Sequence, residues 1–377
     1  MIYLDNASSH ILLDEIKKNI VSYLDYCYNP SAKYSVAQKT EYEIQKTRKI
    51  IADILKISEN NVIFTSGGTE ANNLAVMGYK LRRESRFSVA YLGFEHTSVL
   101  KSVAYLKKQG HGVFGIDYFD LISDIDKVIE RLDENNVNLL ILSHVYSNIA
   151  ILLPLKDIVN KIKKAFPKIY IHIDAAQSFM KEELDMSGID SLSVSAHKIG
   201  ALKGVGALIL RDKQNIAPLI RGGKQNFSLR SGTENVAGIL SFKDALDVWN
   251  KNNKEFRDAI KSLNLYFRER FLELFENDAS VKIITPDKNY SNSIVTMAVK
   301  NVLSEHVIRY LDENSIMISA ASNCDNLNFT PEFSKILNLD KSYYNGIIRV
   351  SFSAFNKKEE IDIFFDKLKE ALDYFVF

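Results

Sequence analysis

The residue with the clearest chemical potential is Lys198. It follows a strand-like segment, Ser191–Ala196, and precedes a glycine-rich loop and a second apolar segment, Ala207–Leu210. In α/β proteins, ligands bind at the carboxyl ends of strands. An amine held against apolar strands is suited to form a Schiff base. We therefore expect Lys198 to be reactive, the alternative being one solvated lysine among many.

A phosphate site is predicted at Thr65–Asn72, which follows one strand and opens a helix. The backbone N–H groups and dipole of a helix start attract phosphate, and Thr69 adds a hydroxyl. The segment matches neither the dinucleotide fingerprint nor the Walker loop.

Two further polar residues stand at predicted strand ends. Asp174 closes a largely apolar strand, so its carboxylate should be half-buried and should need a cationic partner. Its alternative role is a helix N-cap. His96 lies between a strand and the next helix, where a histidine is more often merely exposed than catalytic.

The C-terminal part of the chain adds a cation and a thiol. Arg349 is a single charge in an apolar strand and should bind a carboxylate through its planar fork. Cys324 lies in a small, polar segment and is predicted to be a reactive thiol. Cys27, on an apparent amphipathic helix, is predicted to be a packing residue.

These parts together describe one chemistry. A phosphate cradle, a carboxylate for a ring nitrogen, a Schiff-base lysine and an arginine for a substrate carboxylate are what pyridoxal phosphate requires.

The elements that must position these residues alternate along the chain, which predicts a mostly parallel sheet covered by helices. The predicted strands are 61–64, 87–92, 111–116, 138–143, 168–174, 191–196 and 207–210. The predicted helices are two within 14–55, broken at Asn29–Ser31, then 70–83, 98–108, 124–133, 155–166 and 236–275. We expect an arm (1–13) that contributes to the small domain, a large domain (14–250) and a small α+β domain (251–377).

Composition narrows the class of protein. The chain has 377 residues and a net charge of +1, so its charge does not predict binding to nucleic acid or to a membrane surface. Two cysteines cannot build a disulfide framework, the start lacks signal-peptide features, and no apolar run approaches a membrane span. A cytoplasmic location is expected.

The motifs, in order, resemble the cysteine desulfurases of the class V aminotransferase family. The resemblance covers nearly the whole chain and implies the fold-type I architecture, with a mostly parallel seven-stranded sheet and a smaller α+β domain. The matching segments are Ile2–Ala7, Phe64–Asn73, Glu95–His96, Asp174–Gln177, Ser195–Lys198, Leu229–Asn235 and Arg349–Ser353.

The resemblance also implies roles for individual residues. Catalysis falls to Lys198, Cys324 and His96. Pyridoxal 5'-phosphate would be bound by Gly68, Thr69, His96, Asp174, Gln177, Ser195, His197, Lys198, Thr233 and Ser147. The substrate would be bound by Arg349 and Asn29, and no metal site is implied.

The implied reaction converts L-cysteine to L-alanine and leaves a persulfide on Cys324. An acceptor protein would collect the sulfur, as in iron–sulfur cluster assembly. The implied assembly is a homodimer in which Thr233 reaches the phosphate of the partner subunit.

The chain departs from the family pattern around these anchors. Ser147 replaces the asparagine expected near the ring oxygen, Tyr34 stands where histidine is expected, and Asn226–Ser228 replaces a charged segment. Asn323 and Asp325 flank the cysteine, where small residues are usual. Two alternatives therefore stay open: a lyase or aminotransferase of the same fold acting on another amino acid, and a degenerate relative without turnover.

Overall fold

The computed structural model describes residues 1–321 and 339–375. By their contacts, these residues form two units. The larger comprises Leu12–His144 and Pro154–Lys251, and the smaller comprises Met1–Ile11, Val145–Leu153 and Asn252–Phe377.

The larger unit is built on a seven-stranded sheet. Its strands are β2 (Val62–Thr65), β3 (Ser88–Leu92), β4 (Gly112–Ile116), β5 (Val137–Ser143), β8 (Tyr170–Asp174), β9 (Ser191–Ser195) and β10 (Gly206–Leu210). The spatial order is β2-β10-β9-β8-β5-β3-β4; β10 is antiparallel to both its neighbours, and the other pairs are parallel. The prediction of a mostly parallel, seven-stranded sheet is confirmed.

Helices accompany the strands of this unit. They are α1 (Asp14–Tyr23), α2 (Ser35–Leu55), α3 (Gly68–Leu81), α4 (Thr97–Lys108), α5 (Tyr118–Ser123), α6 (Ile125–Glu134) and α7 (Leu155–Ala165). A long helix, α8 (Val236–Phe275), contributes residues to both units. Every residue of β8, β9 and β10 is buried, as expected for central strands with both faces covered.

Two side chains cap the outer edge of β2. Arg48 donates to the carbonyl of Val62, and the side-chain oxygen of Asn226 accepts from the N–H of Phe64 at 2.9 Å. Asn226 also accepts from Arg48 at 3.0 Å, and both side chains are buried. The cap therefore satisfies backbone groups that an outermost strand otherwise leaves open.

The segment that carries Asn226 has unusual backbone geometry. Three consecutive residues, Asn226, Phe227 and Ser228, have φ values of 45°, 58° and 62°. The left-handed region is unfavourable for residues with a Cβ. The turn is held by the buried Asn226 and by the Phe227 ring, which lies 5.0 Å from the Arg48 guanidinium.

The smaller unit contains a four-stranded antiparallel sheet in the order β11-β12-β15-β14. Its strands are β11 (Val281–Ile283), β12 (Ile294–Val299), β14 (Ser319–Ala320) and β15 (Ile347–Ser351), with helices α9 (Ser304–Glu313) and α10 (Lys358–Phe375). β1 (Ile2–Tyr3) pairs in parallel with β13 (Ile316–Met317), and β6 (Val145–Tyr146) forms a hairpin with β7 (Ile151–Leu152). Phe267, Phe352, Phe364 and Phe365 are fully buried in its core.

One packing prediction is wrong. Cys27 is exposed and lies in the connection between α1 and α2, not on a helix. Helix α1 ends at Tyr23, four residues before Cys27.

None of the helices in the described residues is long and apolar enough to cross a membrane.

Candidate active site

The carboxylate of Asp174 is held at the carboxyl end of β8. One oxygen accepts from the side-chain nitrogen of Asn72 at 2.6 Å, and the other accepts from the backbone N–H of Ala176 at 2.9 Å. The side chain is 7 % exposed. These partners are neutral N–H donors, whereas the sequence predicts a cationic one. Asp174 is more deeply buried than the predicted half-burial, and the two bonds fix the plane of the carboxylate.

Asn72 uses its whole amide. Its nitrogen donates to Asp174 and, at 2.9 Å, to the hydroxyl of Ser98. Its oxygen accepts from the hydroxyl of Ser193 at 2.5 Å and lies 3.0 Å from Nε2 of His172. Burial lowers the pKa of His172, although the charge of Asp174 acts the other way. A neutral His172 with its proton on Nε2 therefore donates to the amide oxygen.

His96 is the N-cap residue of α4. Its Nδ1 accepts from the backbone N–H of Ser98 at 3.2 Å and lies 2.8 Å from the Ser98 hydroxyl. The residue is exposed, as is usual for a histidine between a strand and a helix. Its ring is nevertheless fixed by these two contacts.

Glu95 anchors the loop that carries His96. Its carboxylate accepts from the backbone N–H and the hydroxyl of Ser143, at 3.0 Å and 2.5 Å. Ser143 is the last residue of β5 and is the register partner of Asp174. The loop is therefore tied to the strand that neighbours β8.

The predicted phosphate cradle lies at the start of α3. The N-cap of this helix is Gly67, with φ 154° and ψ −176°. Because glycine has no side chain, the N-cap residue does not cap the first N–H groups. A Cβ on Gly68 would lie 3.6 Å from the Cβ of Ser195, so the end of β9 borders the cradle. Thr69 is exposed at the same helix start. The open N–H groups and nearby hydroxyls are suited to an anion.

The backbone of β10 packs closely against this cradle. A Cβ on Gly206 would lie 2.5 Å from the carbonyl oxygen of Val194 and 2.7 Å from the Cα of Gly67. Only glycine at 206 lets β10 pass this close to the loop.

Lys198 lies in a short 3-10 turn, Ala196–Ile199, directly after β9. The turn ends at Gly200, with φ 89°, and the indole N–H of Trp249 donates to the carbonyl of Ile199 at 2.9 Å. Lys198 and His197 are both half-buried. Burial, reinforced by the positive charges of Lys198 and its neighbours, lowers the pKa of His197 to about 4.

Three other predicted residues of the larger unit are placed as follows. Gln177 is buried in the turn after β8. Thr233 is exposed, in the segment that precedes α8. Asn29 is exposed and accepts from the backbone N–H of Ser31 at 3.0 Å, which stabilises a local turn.

Predicted residues in the smaller unit are placed as follows. Arg349 is buried on β15 and donates to Asp5 at 3.1 Å and to the hydroxyl of Ser8 at 2.7 Å. The expected carboxylate partner is therefore present in the protein. Ser147 lies in the turn between β6 and β7. Cys324 lies outside the described residues.

The larger unit's residues fit pyridoxal phosphate. The uncapped start of α3 suits a phosphate, and the buried, acceptor-only carboxylate of Asp174 suits a protonated ring nitrogen. Lys198 follows the strand adjacent to Asp174 in the sheet.

Sequence reasoning missed Asn72, Ser98 and Glu95. A signal for Asn72 existed, because a polar side chain interrupts the apolar face formed by Ala71, Leu74 and Ala75. A buried amide needs hydrogen-bond partners, which here come from neighbouring strands and helices.

Comparison with known proteins gives concordant matches. The family model for class-V aminotransferases matches residues 2–364. The cysteine desulfurase IscS of Dictyoglomus turgidum is 29% identical over 99% of this chain and 94% of its own. A NifS-like protein from Rickettsia africae is 25% identical, with a TM-score of 0.86 and 99% of both chains covered. The protein SspA, solved in complex with cysteine, is 26% identical, with a TM-score of 0.78 and 95% and 100% covered.

Proposed function

Because the chain belongs to the class-V aminotransferase family, we propose that it is a pyridoxal-phosphate-dependent cysteine desulfurase. The observation that carries this proposal is the held carboxylate of Asp174 beside the strand that leads to Lys198. Full-length similarity to proteins named cysteine desulfurase supports L-cysteine as the substrate.

Each site residue has a proposed task. Pyridoxal phosphate supplies an electron sink for bond breaking at the substrate Cα. Asp174 accepts a hydrogen bond from its ring nitrogen, and the start of α3 with Thr69 and Ser195 binds its phosphate. Lys198 would hold the cofactor covalently until the substrate amine displaces it, and the freed Nζ would then take the Cα proton. His96 exchanges protons with the substrate.

The remaining roles rest on the family resemblance. Gln177 and Ser147 are proposed to bind the ring oxygen, His197 and the partner's Thr233 the phosphate, and Arg349 and Asn29 the substrate. The thiolate of Cys324 would attack the substrate sulfur, so that the carbon–sulfur bond breaks, alanine leaves and the enzyme keeps a persulfide. A homodimer and a sulfur-acceptor protein complete the proposal.

The decisive experiment mixes the purified protein with pyridoxal phosphate, L-cysteine and a reductant. Sulfide and alanine should appear in equal amounts, and borohydride should fix the cofactor to Lys198. Alanine without sulfide, or reduction onto another lysine, would contradict the proposal.

Two cysteine variants separate a desulfurase from a lyase. Cys324→Ser should abolish sulfide release, because the persulfide can no longer form. Cys27→Ser should retain wild-type activity and serves as the matched control. Sulfide release by Cys324→Ser at the wild-type rate would favour a lyase of the same fold.

A further inference from the structure

A chain of hydrogen bonds joins Asp174 to His96 through two residues that the proposed chemistry does not use. The oxygen of Asp174 lies 2.6 Å from Nδ2 of Asn72, and that nitrogen lies 2.9 Å from the hydroxyl of Ser98. The hydroxyl in turn lies 2.8 Å from Nδ1 of His96. Asn72, Ser98 and Asp174 are all buried, at 1 %, 7 % and 7 % exposure.

The direction of the first link is fixed by the carboxylate. An ionised carboxylate only accepts hydrogen bonds, so the amino group of Asn72 must face Asp174. The reverse orientation would place two oxygens 2.6 Å apart. The contacts of the amide oxygen agree, because the hydroxyl of Ser193 donates to it.

The direction of the second link follows. The Ser98 hydroxyl accepts a hydrogen bond from Asn72 and is therefore free to donate its own proton in a hydrogen bond to Nδ1 of His96. The backbone N–H of Ser98 points at the same nitrogen at 3.2 Å. Two donors converge on Nδ1, so this nitrogen carries no proton in the neutral ring.

We propose that Asp174 sets the tautomer of His96 through Asn72 and Ser98, so that Nε2 is the nitrogen that carries and exchanges the proton. Asn72 and Ser98 are positioning residues. The exchange with substrate rests on the proposed function, whereas the tautomer is a property of the protein itself.

The tautomer can be measured directly. Protein labelled with ¹⁵N in its histidines is compared with and without pyridoxal phosphate at about pH 8.5, two units above the ordinary imidazole pKa of about 6.5. His96→Gln identifies the signals of His96. We expect a protonated Nε2 and an unprotonated Nδ1 in both samples. A majority of the Nδ1–H form would overturn the proposal.

Ser98→Ala tests the link itself. It removes one of the two donors to Nδ1, so the fraction of the Nδ1–H form should rise about 2- to 10-fold, as expected for one neutral hydrogen bond. Ser98→Thr retains a hydroxyl and should restore the wild-type fraction.

Ser102→Ala is the matched control, because this buried serine lies one turn later on α4 and its hydroxyl lies 2.8 Å from the Ser98 carbonyl oxygen and 3.1 Å from Oδ1 of Asn73. It should leave the fraction unchanged. Equal effects of Ser98→Ala and Ser102→Ala would overturn the link. Absence of sulfide release from L-cysteine would refute the proposed function and leave the tautomer result standing.

Discussion

At the scale of single residues, the guanidinium of Arg349 has two roles, since it pairs with residues of the protein and is proposed to bind the substrate carboxylate. Its guanidinium is buried and uses one nitrogen for both Asp5 and Ser8. The planar fork retains further N–H groups, which suits two-point recognition of a carboxylate.

Arg349→Lys should therefore lower kcat/KM for L-cysteine, mainly by raising KM, because an ammonium lacks the planar fork. The loss of binding free energy should be about 2–5 kcal/mol. The absorbance of the bound cofactor should stay unchanged. Arg270→Lys is the matched control, since Arg270 pairs with Asp362 at 2.9 Å in the same unit and is more exposed. Steady-state kinetics decide, and an unchanged KM in Arg349→Lys would remove this residue from substrate binding.

Sequence patterns predicted single charges well and shared amides poorly. Arg349 stands out because it is the only charge in its strand, and Asp174 because it closes an apolar one. The only signal for Asn72 was a polar side chain on an apolar helix face, and its role stayed hidden because its four partners come from β8, β9 and α4, which are distant in sequence. The prediction that Cys27 packs on a helix was wrong, because the end of a helix depends on the chain beyond it.

At the scale of elements, β10 and the phosphate cradle constrain each other. The backbone of Gly206 lies against Gly67 at the start of α3 and against the carbonyl of Val194, which belongs to the neighbouring strand β9. Sequence patterns predicted β9, β10 and the cradle, but the distance between Gly206 and Gly67 depends on the order of the strands in the sheet.

Gly206→Ala should destabilise the larger unit by about 1–3 kcal/mol and weaken pyridoxal phosphate binding, because the added Cβ overlaps backbone atoms. Gly115→Ala in β4 is the matched control, since a Cβ there meets nothing within 4 Å. Urea unfolding and cofactor titration measure both effects. A Gly206→Ala protein as stable as Gly115→Ala would contradict the packing argument.

At the scale of the larger unit, three histidines with lowered pKa values contribute to the response to acid. Burial lowers the pKa of His144 to about 4, and burial also lowers the pKa values of His172 and His197. Between about pH 6.5 and 4 the unfolded chain binds protons at these sites and the folded chain does not. The contribution of these histidines to stability is therefore fully present above about pH 6.5 and is lost as the pH falls toward 4.

The expected loss from His144 alone is about 3 kcal/mol over that range, at about 1.4 kcal/mol per pH unit. Urea unfolding followed by the fluorescence of Trp249, the only tryptophan of the chain, measures it. His144→Gln should show a shallower pH dependence than the wild type. His306→Gln, at an exposed position, should not differ from the wild type. Identical slopes in all three proteins would exclude this origin of acid sensitivity.

The capped edge of β2 bears on how the chain behaves at high concentration. An outermost strand with open N–H and C=O groups is a template to which a strand of another molecule can add, and such addition begins aggregation. On β2 the Val62 carbonyl and the Phe64 N–H are already engaged by Arg48 and Asn226. An incoming strand would have to displace both buried side chains and break their hydrogen bonds to the strand and to each other. The left-handed turn at Asn226–Ser228 keeps the asparagine in place, so this border of the sheet resists amyloid-like growth without an additional strand to cover it.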